Sequence, residues 1–167
     1  APKSRLIGID VTKPDSSNWK TLIQEGIDTL EAVTIINNQF VTIYLHDAHE
    51  IIKCFSLDGN LRGEIQLPTF GSITYGYAST IAGRRHDREM FYLFHSFAYP
   101  VTVFRYDFGS NQSEVLFKPS IKFDFSPYLT HQVFVKSKDG TKIPLFLVHR
   151  ADLNLDGQNP TLLYGYG

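Results

Sequence analysis

The sequence predicts a mainly β fold, and three observations carry that expectation. Short β-branched and aromatic runs recur between turn signals through about the first 127 residues. No helical period of adequate length interrupts them. Aromatic residues make up 14% of the chain, with 13 Phe and 9 Tyr, a composition suited to pleated surfaces.

Taken in order, the expected strands are Arg5–Asp10, Trp19–Ile23, Ala32–Ile36, Phe40–His46 and Glu50–Phe55. They continue with Gly63–Leu67, Ser72–Tyr77, Met90–His95, Val101–Tyr106 and Glu114–Phe117. Their spacing is regular. Ile7-Gly8-Ile9-Asp10 leads through a Pro-Asp-Ser-Ser-Asn turn to Trp19 and the strand after it. Lys53–Asp58 leads through Gly59-Asn60, and Val103–Asp107 through Gly109-Ser110-Asn111. Each unit is a strand ending near an aspartate, a polar turn, and a second strand. Asp10, Asp58 and Asp107 lie 48 and 49 residues apart. A degenerate repeat of that length, with about four strands each, fits the blades of a β-propeller. A β-sandwich also spaces strands and turns evenly, and remains the alternative on spacing alone. Two or three blades cannot close a ring, so the propeller reading makes this chain a part of something larger.

After Pro119 the rhythm changes. Residues 121–129 read as irregular, with Pro127 as a breaker. Gln132–Lys136 and Lys142–His149 then predict a hairpin turning at Lys138-Asp139-Gly140-Thr141. A polar loop over Arg150–Pro160 leads to an expected apolar strand, Thr161–Tyr164. A domain boundary is expected near Asp124–Thr130.

Composition excludes several classes of function. Apolar residues at 43% and charged residues at 20% are ordinary for a globular protein. A net charge of -1 gives no electrostatic case for nucleic acid or an anionic membrane as partner. No apolar run is long enough to span a bilayer. The first residues, Ala1-Pro2-Lys3-Ser4, carry no signal-peptide pattern. The single cysteine, Cys54, cannot form an internal disulfide and sits in a strand-like run. It reads as a buried, inert thiol in a reducing compartment, so a cytoplasmic location is expected.

Most candidate sites are better read as structure. Asp152-Leu153-Asn154-Leu155-Asp156-Gly157 matches the first half of a calcium loop. Loop position 12 is Leu163 instead of Glu, and the flanks are strand-like, so a solvated turn is expected. His46-Asp47-Ala48-His49-Glu50 gathers metal-ligand types but falls at a hairpin tip, a surface turn instead of a zinc site. Arg84–Arg88 reads as a solvated basic loop, with steering or interdomain contact as the functional alternative. Asn111-Gln112-Ser113 is a formal glycosylation acceptor that reads as a turn. No metal or cofactor is called for. No Gly-x-Ser-x-Gly elbow is present, so nucleophilic catalysis has no visible home. In Tyr164-Gly165-Tyr166-Gly167, glycines flank Tyr166 where a phenol could reach a developing oxyanion. Alone, that tetrapeptide fits an aromatic packed at a strand terminus better.

Ser137-Lys138-Asp139-Gly140-Thr141-Lys142-Ile143-Pro144, with Leu145–His149 and the terminal Tyr-Gly-Tyr-Gly, resembles the prolyl oligopeptidase family of serine peptidases. Arg5-Leu6-Ile7, Ile9-Asp10, Tyr44–Asp47 and Phe91-Tyr92 are also similar, so the resemblance covers essentially the whole chain. It implies a seven-bladed propeller inserted into an α/β-hydrolase domain. Residues 1–127 would then hold about the last three blades, and 128–167 the first strands of the returning hydrolase domain. The implied activity is cleavage of short peptides after proline by acyl transfer, with the propeller restricting substrate size. Some members of the family instead close macrocycles, and a non-catalytic binding propeller is the remaining rival. The resemblance assigns Tyr166 to the oxyanion hole and places the Ser-Asp-His triad beyond Gly167. It leaves His149 structural and this segment inactive alone. The expected partners are short proline-containing peptides and the remainder of the polypeptide.

Overall fold

The computed structural model describes residues 1–75 and 78–165, the side chains of Tyr75, Ala78 and Ser79 excepted. Of the five antiparallel sheets among the described residues, three stack one after another along the chain. The first is a hairpin of β1 (Leu6–Gly8) and β2 (Lys20–Ile23), joined through a 3-10 turn at Ser16–Asn18. The second is a four-stranded meander of β3 (Thr29–Ile36), β4 (Gln39–His46), β5 (His49–Ser56) and β6 (Leu61–Ile65). After the small hairpin β7 (Thr74–Tyr75) and β8 (Ala78–Ser79) comes the third, made of β9 (Glu89–Ser96), β10 (Tyr99–Asp107) and β11 (Gln112–Phe117). Bridges from Ser72 to His95 and from Ala82 to Phe91 lay an interrupted innermost strand beside β9. The repeating unit is thus a four-stranded antiparallel meander, the blade expected from the spacing.

The alternation of side chains explains why the sheets stack. In β4 all of Phe40, Val41, Thr42, Ile43 and Tyr44 are buried, although adjacent residues point to opposite faces. Val41 and Ile43 join Ile52, Cys54, Met90, Tyr92 and Phe94 in a core between the second and third sheets. Phe40 and Tyr44 join Ile23, Leu30 and Phe55 in a core between the first and second. Both faces of the middle sheet are therefore interior, which a sandwich of two sheets would not require.

The repeated aspartates occupy equivalent places. Each lies at or just beyond the end of a strand and accepts hydrogen bonds from the segment that leads to the next strand of the same sheet. Asp10 accepts from the Thr12 N–H at 2.9 Å, and Asp107 from Gly109 and Ser110 N–H at 2.7 and 2.8 Å. Asp58 accepts from the Ser56 hydroxyl, and from the Asn60 amide at 2.7 Å. These donors hold all three carboxyls below the ordinary aspartate range: the Thr12 hydroxyl first for Asp10, the Ser56 hydroxyl for Asp58, the Ser110 N–H for Asp107. The 48- and 49-residue period is a period of turn chemistry.

β12 (Tyr128–Lys136) and β13 (Lys142–Arg150) form the expected hairpin, with Gly140 at φ 86° in its turn. β12 begins four residues before the expected Gln132. Asp139 closes the turn, and the Ser137 hydroxyl and Thr141 N–H bring its carboxyl down to about 2.

Two expected strands differ. Thr161–Tyr164 forms no strand, and Leu162, Leu163 and Tyr164 are exposed. Apolar β-formers need a partner for their backbone groups, and no described strand pairs with them. Ser72–Tyr77 is broken into the bridge at Ser72 and the β7–β8 hairpin, while Tyr77 lies outside the described residues.

Gly59 tests the inter-sheet seam. Its φ is 91°, and a Cβ there would stand 1.8 Å from the Leu22 carbonyl oxygen of the neighbouring sheet. Gly59→Ala is expected to lower unfolding free energy by roughly 2 kcal/mol or more, measured by denaturant titration. A change within error would show that the seam gives way without cost.

Cys54 tests the core between the second and third sheets. Burial pushes its thiol from 9.0 up to about 11. The folded thiol keeps a proton that the unfolded one gives up near 9, so this stabilisation is intact below pH 9 and is lost as pH rises towards 11. Native protein at pH 8 is expected to resist iodoacetamide and to react once denatured. Prompt native labelling would show that the seam opens.

Candidate functional site at the seam between sheets and hairpin

The β4–β5 turn, the loop before Ser72 and the β9–β10 turn all lie at one end of the strands, and the β12–β13 hairpin meets that end. Gln132 on β12 donates from its amide to the Asp47 carbonyl. Phe146 on β13 stands 6.0 Å from Phe70 and 5.8 Å from Phe97, ring centre to ring centre. Between them lies a cavity of about 310 Å³, lined by His49, Glu50, Phe70, Ser72, Phe97 and Phe146 among others.

Local sequence builds each wall. Asp47 and Ala48 turn β4 into β5 with positive φ values of 43° and 65°, so His46 and His49 face one another across the turn. Their rings meet edge to face at 5.3 Å, and His49 meets Phe70 at 5.0 Å. His46 Nδ1 is 2.6 Å from the buried Asp28 carboxylate, which also accepts from Lys53 at 2.9 Å. Burial opposes the charge on Asp28, yet its bonds to His46 and Lys53 hold the carboxyl below its ordinary range. Burial pushes the His49 imidazole the other way, towards its neutral form.

Glu50 is the main anchor of the cavity wall. Only 7% exposed, it accepts through one oxygen from the Ser72 hydroxyl at 2.9 Å, Ile73 N–H at 2.5 Å and Thr74 N–H at 2.8 Å. Ser72 is already paired with His95, so the Thr74 N–H is the one that would otherwise continue the ladder to β9. The carboxylate thus explains the broken strand and pins the innermost segment of the third sheet to the second. Thr80 fills the gap: its hydroxyl donates to the Ile73 carbonyl, and Leu93 N–H donates to it at 3.2 Å.

The hydroxyls at the cavity act as donors. Ser72 serves Glu50, and Ser96 donates to the Phe70 carbonyl at 2.6 Å. Cys54 is buried in the core away from the cavity. Tyr166, the residue assigned by resemblance, lies outside the described residues, as does Gly167. His149 stacks on His131 at 5.1 Å, with Nδ1 2.7 Å from the Arg150 carbonyl. In the turn that resembles a calcium loop, Arg150 clamps Asp152 with two bonds of 2.9 Å, and Asp156 accepts from Gln158 N–H at 2.9 Å. The Arg84–Arg88 loop packs against the β3–β4 turn, at the end of the sheets opposite the hairpin; Arg85 Nε donates to Asn38 at 3.1 Å. Asn111 forms the β10–β11 turn at φ 56°. Sequence reasoning placed Glu50 in a surface turn, whereas it is buried, and missed the phenylalanines of the seam, because their partners are distant in the chain.

The profile described as "Prolyl oligopeptidase, N-terminal beta-propeller domain" matches residues 1–119. The chain belongs to the prolyl oligopeptidase family. It is 35% identical over 167 residues to a prolyl endopeptidase of Elizabethkingia meningoseptica, covering 100% of this chain and 23% of that one. It is 31% identical over 172 residues to the dual function macrocyclase-peptidase POPB of Galerina marginata, again covering 23% of the relative. A solved structure from work on two prolyl endopeptidases and the role of inter-domain dynamics superposes with a TM-score of 0.84 at 36% identity, covering 100% of this chain and 24% of that one. Apo prolyl oligopeptidase B from Galerina marginata gives 0.78 at 29% identity, over 94% and 22%. The chain therefore spans about a quarter of the length of these relatives, and its three sheets are propeller blades of a peptidase family. Among the described residues no helix is long and apolar enough to cross a membrane.

Glu50→Ala leaves two N–H groups of the inner segment without their acceptor. It is expected to destabilise the chain by roughly 3 kcal/mol in denaturant titration. Wild-type stability in that variant would remove Glu50 as the link between the two sheets.

Proposed function

We propose that the intact protein is a serine endopeptidase that cleaves short peptides on the carboxyl side of proline by acyl transfer. The match of the entire chain to a prolyl endopeptidase at 35% identity carries this reading. In it, residues 1–127 are the last blades of the propeller and 128–167 open the α/β-hydrolase domain. The start of β12 at Tyr128 and the end of the family match at 119 support that division. A serine of the hydrolase domain attacks the carbonyl after proline, its histidine carries the proton to the leaving amine, and Tyr166 donates to the oxyanion. The triad lies outside these 167 residues, so the segment alone hydrolyses nothing. The propeller limits access to short peptides, and the lone buried thiol suits a cytoplasmic setting.

A second reading keeps the acylation step and changes the acceptor. The similarity to a dual function macrocyclase-peptidase favours it: a peptide amine in place of water would close a ring. A non-catalytic propeller is less well supported, because a further blade should follow β11, and an isolated hairpin follows instead.

Intact protein incubated with a dilute proline-containing peptide separates the first two readings by its product, linear for hydrolysis and cyclic for transfer. Tyr166→Phe is expected to lower kcat on a proline amide ~100- to 1000-fold with the fold unchanged. Unaltered turnover would take Tyr166 out of the oxyanion hole, and absence of cleavage by the wild type would overturn the peptidase reading itself.

A further inference from the structure

The seam cavity holds an anion with no counter-cation. Glu50 is almost fully buried, yet its three partners are a hydroxyl and two backbone N–H groups, all neutral. Among the described residues no Lys, Arg or His nitrogen lies within ion-pair distance of it. No Lys or Arg lines the cavity; its other titratable groups are His49 and His95, and the His49 imidazole is held towards its neutral form by burial. The Glu50 charge reaches as far as Glu31, whose carboxyl is raised by its own burial and then by that charge. Three phenyl rings complete the wall: Phe70 from the loop before Ser72, Phe97 from the β9–β10 turn, and Phe146 from the hairpin. Phenyl rings attract a cation through their π faces, and a carboxylate beside them adds a full negative charge.

We propose that the cavity between Glu50 and the phenylalanines Phe70, Phe97 and Phe146 binds an organic cation, a primary alkylammonium of the kind carried by a lysine side chain or a peptide amino terminus. A cavity of about 310 Å³ accommodates such a group with part of its alkyl stem. The carboxylate supplies the charge, and the rings replace the water that the ammonium gives up. That the cation arrives on a peptide substrate rests on the peptidase reading; that the cavity takes a cation does not.

The test uses the intact protein and n-butylammonium, with n-butanol as its neutral counterpart, followed by ligand-observed NMR. Saturable binding of the ammonium and none of the alcohol is expected. Phe97→Ala, at a ring that is 65% exposed and so dispensable for folding, is expected to weaken binding about fivefold. Phe146→Ala removes the hairpin's ring with the same expected effect, and Glu50→Gln removes the charge and abolishes binding. Equal binding of ammonium and alcohol, no saturable binding, or affinity unmoved in both phenylalanine variants would overturn the proposal. Two competing peptides distinguish the sources, one with a blocked terminus and a lysine, the other with a free terminus and no lysine. Displacement by one or the other names the group that occupies the cavity, and displacement by neither overturns the assignment to peptides. Proline-specific cleavage is assayed separately, so loss of cation binding and loss of the peptidase reading are distinct results.

Discussion

A sheet that is apolar on both faces cannot stand alone, and the rest of this structure depends on that constraint. β4 is its plainest expression: Val41 and Ile43 press into one core, Phe40 and Tyr44 into the other, and none of the four can be turned to water. The middle sheet is therefore stable only between neighbours. The same logic reaches the third sheet, where Met90, Tyr92 and Phe94 face the middle sheet while Phe91 and Leu93 point the opposite way, only partly covered. Stacking along one direction, with each sheet completing the last, is what makes a propeller repeat.

Polar groups then set how closely the sheets can approach. Glu50 crosses from β5 to the inner segment of the third sheet and accepts from the N–H groups of Ile73 and Thr74, the latter lying on the side of the β9 ladder. Gly71 precedes that crossing, and a Cβ on it would meet the His95 carbonyl at 2.4 Å. Asp28 gathers His46 and Lys53 beneath the β4–β5 turn. These contacts involve few residues but they are directional, and apolar packing alone does not fix register between sheets.

Much of this was legible in the sequence because it is local. The aspartates at 10, 58 and 107 repeat because each closes a turn within three residues of itself, and such chemistry is visible in a window of a few positions. The Asp-Gly turn of the hairpin was legible for the same reason. The broken strand at Ser72–Tyr77 was not, since the acceptor that takes the Thr74 N–H lies 24 residues upstream in Glu50. Thr161–Tyr164 carries every local mark of a strand and forms none, because a strand is a property of two segments. Phe70, Phe97 and Phe146 read as three unrelated aromatics until topology brings them to one end of the sheets.

The two kinds of seam differ in character. Between sheets, the interface is a continuous core of fully buried side chains such as Ile52, Met90 and Phe94. Between sheets and hairpin, it is a hydrogen bond from Gln132 and a group of partly exposed rings around a cavity. Separating two blades exposes a core; separating the hairpin from the blades exposes little apolar surface. The blades form a tightly packed stack on one side of the cavity and meet the hairpin through a shallow contact on the other. The charge of Glu50 sits at the boundary of the two, anchored in the rigid part and lining the open one. A carboxylate so placed is held by bonds within the blades and draws none from the hairpin.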